Sequence, residues 1–390
     1  MTSLPYGRHT IDEDDIAAVN RVLTSDWLTT GPAVGNFEDA LERSLGARHA
    51  VAVSNGTAAL HCAYKALGIG PGDAVVVPAI TFVATANAVR MTGADVVFAD
   101  TDPETGLMTA QTLEDALAST KRDVKAVTVV HLGGQPVDLA AISALCKSKG
   151  LFLVEDACHA IGSTYKDSII GDCHYSDVAT FSFHPVKTIA MGEGGAVTTG
   201  DAAIAEHIRT LRHHSLTAPT GMGTSAPWLR TMDDLGYNYR ACDIQCALGE
   251  SQLSKLDYFT QVRRALVDQY RVTLDALGAQ AAINPIKVET EPCFHLAQVK
   301  IDFQAMGTTR ADVMESLRKA GIHTQVHYYP VSAQPYYTDL YGVTDTPGAW
   351  AYYDQTLSLP LHAGMTPSDA NFVCRTLHSI LSKEEISACA

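Results

Sequence analysis

Residues 49–80, HAVAVSNGTAALHCAYKALGIGPGDAVVVPAI, contain an apolar run, a stretch of helical length and a second apolar run. Both apolar runs are rich in Val and Ala, as expected of strands that are buried on both faces of a sheet. The stretch between them, TAALHCAYKALG, is long enough to form a crossover helix. This order predicts a β-α-β unit with parallel strands.

The same alternation continues to about residue 200. Further predicted strands are ADVVFAD, VKAVTVVH and LFLVEDA, and the predicted helices between them are TFVATANAVRMTG, LEDALAS and LAAISALCKSKG. Two more helices are predicted before this block, near residues 12–25 and 35–45. We therefore predict an α/β fold with a mostly parallel central sheet, helices on both faces, and ligands at the carboxyl ends of the strands.

The pattern changes toward the end of the chain. A polar loop at residues 215–241 is too long for an ordinary connection and is expected to be functional or disordered. A long helical pattern, residues 243–277, then leads into mixed strand, helix and turn segments. We predict a large domain over residues 1–260 and a smaller α+β domain over residues 261–390.

Composition limits the kinds of partner. The chain has 390 residues, is 46% hydrophobic and carries a net charge of −15, so nucleic acid and anionic membranes are not expected partners. No segment resembles a signal peptide or a membrane span, which predicts a cytoplasmic protein. Nine cysteines without C-x-x-C pairs indicate reduced thiols. The pairs Cys158-His159 and Cys173-His174 do not have the flanks of a zinc knuckle, and no metal site is expected.

Two polar motifs follow predicted strands. In VSNGTAAL, a strand ends at Asn55-Gly56 and a helix is predicted to start at Thr57, so the first helical turn forms an anion site or simply a strand-to-helix turn. In LFLVEDA, Glu155 and Asp156 end an apolar strand. A buried carboxylate there must meet a cation or a hydrogen-bond donor, unless the Asp caps the next helix.

Two further residues extend this group. Lys187 lies between the run ATFSF and the cluster GEGG, where a lysine is either solvated or held in an apolar pocket as a nucleophile. Phe82 follows another strand end and belongs either to the core or to a ligand-stacking face. A phosphate cradle, a stacking face, a buried anion and an amine together match the requirements of pyridoxal 5′-phosphate (PLP).

The motifs SNGTAAL, EDACHAIG, SFHPVKTIAMGEGG and YNYRACDIQCALG resemble those of the DegT/DnrJ/EryC1/StrS family of sugar aminotransferases, which have the aspartate-aminotransferase fold (PLP fold type I). The resemblance extends from WLTTGP to LSLPLHAGMT. Within the family, SFHPVK, GEGG and VHYYP are most similar to transaminases of pseudaminic acid biosynthesis. Those enzymes aminate the C4 ketone of a UDP-linked 4-keto-6-deoxy-N-acetyl sugar with L-glutamate.

The resemblance implies roles for individual residues. Lys187 would bind PLP as an imine and Asp156 would pair with the ring nitrogen, whereas family dehydratases have a histidine in place of the lysine. Asn238 would reach the phosphate of a partner subunit, so the active unit would be a homodimer with shared sites. Pyridoxamine 5′-phosphate (PMP) would be the intermediate form. The other implied cofactor contacts are Gly56, Thr57, Ala58, Phe82, Cys158, His159 and Ser182.

The sugar nucleotide requires aromatic, hydroxyl and basic side chains. Each candidate is alternatively a domain-interface or surface residue. Another nucleotide-linked keto sugar, a cyclitol ketone, or a non-catalytic regulator on the same scaffold are the competing functions. The candidate substrate contacts are Trp27, Thr29, His184, Arg230, Tyr239, Arg240, His327 and Tyr328.

Overall fold

The computed structural model describes residues 3–218, 228–283 and 290–383. Its largest sheet has seven strands in the order β1-β9-β8-β5-β4-β2-β3, and β9 alone runs antiparallel to its neighbours. The predicted, mostly parallel sheet is confirmed. The strands are β1 (His49–Val53), β2 (Asp73–Pro78), β3 (Asp95–Ala99), β4 (Asp123–Val130), β5 (Phe152–Asp156), β6 (Thr164–Tyr165), β7 (Ser168–Ile169), β8 (Val178–Ser182), β9 (Gly195–Thr199), β10 (Leu216–Thr217), β11 (Thr231–Met232), β12 (Ala282–Ile283), β13 (Thr290–Glu291), β14 (Ala297–Lys300) and β15 (Thr356–Leu359).

The helices connect and cover these strands. They are α1 (Glu13–Leu23), α2 (Pro32–Leu45), α3 (Gly56–Ala66), α4 (Val83–Met91), α5 (Ala110–Ser119), α6 (Leu139–Lys149), α7 (Ala202–Leu211), α8 (Asp243–Leu253), α9 (Leu256–Ala276), α10 (Arg310–Lys319), α11 (Pro335–Tyr341), α12 (Pro347–Gln355) and α13 (Pro367–Ser382). The two N-terminal helices and the crossover helices α3 to α6 lie where the sequence predicts them. Among the described residues, no helix has the length and apolar character needed to span a bilayer.

One predicted helical stretch is divided. The pattern at residues 243–277 forms two helices, α8 and α9, with a break at Ser254 and Lys255. Ser254 Oγ donates to the Ser251 carbonyl over 2.7 Å, a side-chain bond to the backbone that competes with helix continuation. The Lys255 ammonium pairs with the carboxylates of Asp12 and Asp15 next to α1. The break therefore ties α9 to the N-terminal helix.

The large sheet is buried on both faces. In β2, Ala74 and Val76 belong to one hydrophobic core, and Val75 and Val77 belong to a second core on the opposite face. Successive side chains of a strand point to opposite faces, so a continuous apolar run is required where helices cover both. This explains why most strands of this sheet are dominated by apolar residues.

A third core lies in the C-terminal part, between α9, α10, α13 and the small antiparallel sheet β12-β14-β15. Along α9, Phe259 packs in the first core and Leu266 in the third. The predicted domain boundary near residue 260 falls in this helix and stays a prediction. Val331 and Tyr337, although late in the sequence, pack in the second core with the helices of the large sheet.

The long loop at residues 215–241 lies partly outside the described residues, since 219–227 are not described. Its described ends form the short antiparallel pair β10-β11. The end of the loop, at Tyr237 and Tyr239, hydrogen-bonds to the backbone of Leu211 and Arg212. The loop therefore starts and ends beside the C-terminus of α7.

Candidate active site

A cavity of about 890 Å³ opens at the carboxyl ends of the parallel strands. Asn55, Val130, Asp156 and Ser182 line it from the ends of β1, β4, β5 and β8. The carboxyl edge of a parallel sheet is where ligands bind in open α/β folds. Further lining comes from residues that are distant in sequence: Tyr6, Gln325, Val326, His327, Tyr328 and Tyr329.

Lys187 lies in this cavity on a tight turn after β8. Its backbone N–H donates to the His184 carbonyl over 2.8 Å, which closes the turn. Burial lowers the pKa of the Lys187 amine, against the opposing influence of Cys158 and Asp156. Among the described residues its amine forms no ion pair. Since a neutral amine is the nucleophilic form, this lysine has the environment of a reactive residue rather than that of a solvated surface charge.

Asp156 is 6% exposed and its two oxygens have different donors. Thr85 Oγ1 donates to Oδ2 over 2.7 Å, and the amide of Cys158 donates to Oδ1 over 3.2 Å. Thr81 Oγ1 lies 2.6 Å from Thr85 Oγ1, so the Thr81 hydroxyl donates in turn to Thr85. No helix follows Asp156 in the described structure, where the chain continues as turns. The carboxylate is thus a fixed anion in the cavity and not a helix cap.

The helix α3 presents its N-terminus to the cavity. It begins at Gly56, one residue before the predicted start, and Asn55 Oδ1 caps it by accepting from the amide of Ala58 over 2.8 Å. The helix offers no acceptor for the N–H groups of Gly56 and Thr57. A Cβ on Gly56 would lie 2.8 Å from the Cβ of Ser182, so glycine is required for this close approach. Amides, helix dipole and the Ser182 hydroxyl together form an anion cradle.

The remaining predicted cofactor contacts lie on two sides of the cavity. Cys158 and His159 come from the turn after β5, and burial raises the pKa of the Cys158 thiol and lowers that of the His159 imidazole. Phe82 is 56% exposed and its ring centroid lies 6.0 Å from that of Tyr328. Phe82 is therefore part of the cavity wall and not of the core. Ala58 lines the base of the cradle.

The predicted substrate contacts divide into two groups. His184, Tyr239, His327 and Tyr328 line the cavity. Trp27, Thr29, Arg230 and Arg240 do not, and neither does the predicted cofactor contact Asn238. Arg240 instead lines a second cavity of about 430 Å³, where its guanidinium lies 3.0 Å from His213 Nδ1. The roles of all these residues stay predictions.

The residues of the site that the sequence did not predict include Tyr6, Thr85, Gln325 and His295. Tyr6 is brought to the cavity because its carbonyl accepts from the Leu361 amide over 3.0 Å. His295 is buried behind the site, with its ring 4.4 Å from that of His159. No local pattern signals these residues, because each is placed by contacts with distant parts of the chain. The described residues contain no group of three or more His, Cys, Asp or Glu side chains that could hold a metal ion.

This arrangement can be compared with known proteins. The model of the DegT/DnrJ/EryC1/StrS aminotransferase family matches residues 9–378. The chain belongs to this family. It is 38% identical to the spore coat polysaccharide biosynthesis protein SpsC of Bacillus subtilis, over 97% of each chain. It is 37% identical to the UDP-4-amino-4,6-dideoxy-N-acetyl-beta-L-altrosamine transaminase of Campylobacter jejuni, over 99% of this chain and 100% of the relative.

Solved structures agree on the fold. PseC of Helicobacter pylori, an aminotransferase involved in the biosynthesis of pseudoaminic acid, is 27% identical, covers 98% of this chain and all of its own, and superposes with a TM-score of 0.88. Spr1654 of Streptococcus pneumoniae has been solved in PLP and PMP forms, with 27% identity and TM-scores of 0.88 and 0.89. These structures cover 98% and 97% of this chain and 99% of their own. The predicted fold, family and cofactor are confirmed: the chain is a PLP-dependent sugar aminotransferase.

The cavity fits this cofactor. The anion cradle at Gly56 and Ser182 suits a phosphate, and a larger residue at position 56 would fill it. Asp156, buried and held by two donors, suits a protonated ring nitrogen. The Lys187 amine, with its lowered pKa, suits covalent attachment of an aldehyde. Cradle, carboxylate and amine all line one cavity, as a single bound molecule requires.

Proposed function

We propose that this enzyme transfers the amino group of L-glutamate to the C4 ketone of a UDP-linked 4-keto-6-deoxy-N-acetyl-hexose, by a ping-pong mechanism in the pathway to pseudaminic acid. The observation that carries the proposal is the cavity itself, which combines Lys187, Asp156 and the Gly56 cradle with a polar and aromatic wall at residues 325–329. The first three serve the cofactor. The cavity volume, about 890 Å³, leaves room for a substrate much larger than an amino acid.

The similarity to the altrosamine transaminase supports the UDP-linked substrate, because the two chains align over essentially their whole lengths. The wall from Gln325 to Tyr329 is rich in rings and hydroxyl groups. Such side chains bind sugars by packing against their apolar faces and by hydrogen-bonding to their hydroxyls. We propose Tyr239, His184, His327 and Tyr328 as the substrate contacts of one subunit.

When bound, PLP supplies an electron sink for the carbanion that forms at the amino donor. Lys187 Nζ would hold the cofactor and, once free, would carry the proton from the α-carbon of glutamate to the aldehyde-derived carbon of the cofactor. A positioned proton transfer of this kind contributes about 10²–10⁴-fold in rate. Asp156 would favour a positive charge on the ring nitrogen, while Phe82 and Cys158 would enclose the ring and limit the access of water.

We further propose a homodimer in which Asn238 reaches the phosphate site of the partner subunit. Trp27, Thr29, Arg230 and Arg240 would then serve the partner's substrate site, in line with their absence from the lining of this chain's own cavity. Trp27 is 54% exposed in the single chain, which is unusual for a tryptophan of a folded protein and suits an interface. The division into domains at residue 260 and the cytoplasmic location are further parts of this proposal.

Two measurements test the function. Adding glutamate to the PLP-loaded protein should convert its absorbance to that of the PMP form and release 2-oxoglutarate. Adding the UDP-linked 4-keto sugar should restore the first absorbance and yield the 4-amino sugar. If glutamate produces no spectral change in a fully loaded protein, the aminotransferase assignment fails, and a regulator on the same scaffold is favoured.

A second candidate substrate is another nucleotide-linked keto sugar. Its support is the 38% identity to SpsC, which is as high as the identity to the altrosamine transaminase. A panel of UDP-, dTDP- and GDP-linked ketones, with a cyclitol ketone, separates the candidates by kcat/KM. A preference for any other ketone over the UDP-linked N-acetyl sugar contradicts the specific proposal and leaves the aminotransferase chemistry intact.

A further inference from the structure

The side chains of His159 and Tyr328 form a hydrogen bond inside the cavity. His159 Nε2 lies 3.2 Å from Tyr328 Oη, and either atom is chemically able to donate. The direction of this bond matters, because a hydroxyl that accepts from the imidazole keeps its own proton for another partner. The other nitrogen of His159 settles the direction.

The amide of Gly133 donates to His159 Nδ1 over 3.2 Å, in a fully buried environment. A nitrogen that accepts a hydrogen bond carries no proton. Burial lowers the pKa of His159 well below its ordinary value, with the Lys187 charge and His327 as further causes, so the ring is neutral near pH 7. Its single proton therefore sits on Nε2.

We infer that the Gly133 amide fixes the tautomer of His159 and thereby makes the Tyr328 hydroxyl a donor directed at the molecule bound in the cavity. His159 Nε2–H donates to Tyr328 Oη, which leaves the phenolic proton available. Among the described residues, Tyr328 Oη has no other hydrogen-bond partner. A hydroxyl proton in a partly buried site normally finds an acceptor, and Tyr328 lines the cavity, so a molecule bound there can provide one. Tyr328, rather than His159, is therefore the donor to the bound molecule.

Backbone conformation and close packing both fix the position of the Gly133 amide. Gly133 has a left-handed backbone, with φ of 69°, and a Cβ there would lie 2.4 Å from Gln298 Oε1. A side chain on residue 133 is thus excluded both by conformation and by space. Gly134 is similarly enclosed, since a Cβ added at this position would lie 2.9 Å from the His159 carbonyl oxygen. The two glycines hold the amide against the imidazole.

The acceptor should be an electron-rich oxygen, since a phenol donates best to a phenolate or carbonyl oxygen. Two sources qualify: the ring oxygen of the cofactor and the ketone oxygen of the sugar. If the acceptor is the ketone oxygen of the sugar, the inference rests on the proposed function. If the acceptor is the ring oxygen of the cofactor, it does not. Burial raises the pKa of Tyr328 well above its ordinary value, with Asp156, Tyr6, Cys158 and Tyr352 as further causes, so the hydroxyl keeps its proton.

The tautomer is tested first, without any substrate. In the ¹⁵N NMR spectrum of the histidine-labelled full chain, the His159 signals should show a bare Nδ1 and a protonated Nε2 at neutral pH. The His159→Gln spectrum identifies these signals by their loss. A protonated Nδ1 would overturn the inference, whatever reaction the enzyme catalyses.

The donor is tested with Tyr328→Phe in the PLP-loaded protein. A donor lost from an anionic ring oxygen should raise the pH midpoint of the cofactor absorbance by about 1–2 units. If the ketone is the acceptor, the midpoint stays, the half-reaction with glutamate is unchanged, and the half-reaction with the ketone slows by about tenfold or more. An unchanged midpoint together with unchanged half-reactions overturns the inference. Tyr336→Phe, which removes an exposed phenol outside the cavity, is the control.

The link between His159 and Tyr328 is tested by a matched pair of substitutions at position 159. His159→Gln places an amide donor near the original Nε2 and should change the midpoint and the half-reactions less than His159→Asn does. His159→Asn reaches the Gly133 amide but not Tyr328, and should move in the direction of Tyr328→Phe. Equal effects of the two substitutions on the midpoint and on both half-reactions would show that the tautomer does not orient the hydroxyl.

Discussion

The hydroxyl of Thr85 donates to Asp156 Oδ2 over 2.7 Å. This hydrogen bond joins α4 to β5, although the two residues lie 71 positions apart in the sequence. Thr85 lies in the first turn of α4, and Asp156 is the last residue of β5. Because Thr81 donates to Thr85 in turn, the Thr85 hydroxyl has its own proton directed at the carboxylate. Asp156 is therefore oriented by a chain of two hydroxyl groups, neither of which belongs to a recognised motif.

Thr85→Val should weaken PLP binding by about tenfold and lower the free energy of unfolding by about 1–3 kcal/mol, since a buried oxygen loses its donor. Cofactor titration and urea unfolding measure the two effects. Thr85→Ser retains the hydroxyl and is the matched control. Equal cofactor affinities of the Val and Ser variants would show that the hydrogen bond does not orient Asp156.

Gly56→Ala should weaken PLP binding by about 5- to 150-fold, because the new Cβ would lie 2.8 Å from Ser182 and force the cradle apart at about 1–3 kcal/mol. Equilibrium dialysis against PLP measures this. Gly70→Ala is the control, since a Cβ at Gly70 meets nothing within 4 Å and its φ is not left-handed. Wild-type affinity in Gly56→Ala would contradict the phosphate assignment.

Lys187→Ala should abolish turnover, with a loss of at least about 10²–10⁴-fold, because both the covalent attachment and the proton transfer depend on this amine. Borohydride treatment of the PLP-loaded protein should fix the cofactor to the peptide that contains residue 187, as seen by mass spectrometry. Lys319→Ala, at an exposed position, should keep the adduct and the activity. An adduct on a different lysine would disprove the assignment.

The protein should lose stability as the pH falls below about 6.5. Burial lowers the pKa of His327 from 6.5 to about 3, so the unfolded chain binds the additional proton between these values. Stability is present above pH 6.5 and is lost toward pH 3, by at most about 1.4 kcal/mol per pH unit for this residue. His327→Asn, which can still bond to Ser358, should flatten the dependence of urea unfolding between about pH 7 and 5. The exposed His174→Asn should leave it unchanged, and an unaltered slope in His327→Asn would refute the prediction.

If sites are shared between subunits, two inactive variants should complement each other. Mixing Lys187→Ala with Asn238→Ala under conditions of subunit exchange should restore about a quarter of the wild-type activity, since half of the dimers are mixed and each has one intact site. Gel filtration checks the dimer. No recovery in dimers that do exchange would mean that Asn238 serves its own subunit.

Much of the fold follows from local pattern. The side chains of Val-rich runs such as Val75–Val77 can all be buried only when both faces of the strand are covered. This requirement favours parallel strands with helices on either side. The glycine at position 56 and the carboxylate at position 156 fall at strand ends, so their place at the carboxyl edge of the sheet could be predicted. Lys187 could be named as a candidate nucleophile, but its burial could not be predicted from the residues next to it in the sequence.

Other features depend on long-range contacts. At the break within the helical pattern, Lys255 forms an ion pair with Asp12 and Asp15, more than 200 positions away. Thr85, Tyr6 and His295 have no motif around them, and each reaches the site through a partner that is remote in sequence.

Periodicity and strand-end chemistry were thus sufficient to predict the architecture and the cofactor, and to name Lys187 as a candidate nucleophile. The orientation of Asp156, the tautomer of His159 and the cavity lining at residues 325–329 arose from packing between segments that are far apart in the sequence. The physical reason is that hydrophobic burial selects faces of helices and strands from local spacing, whereas a hydrogen bond is specified by the three-dimensional position of both partners.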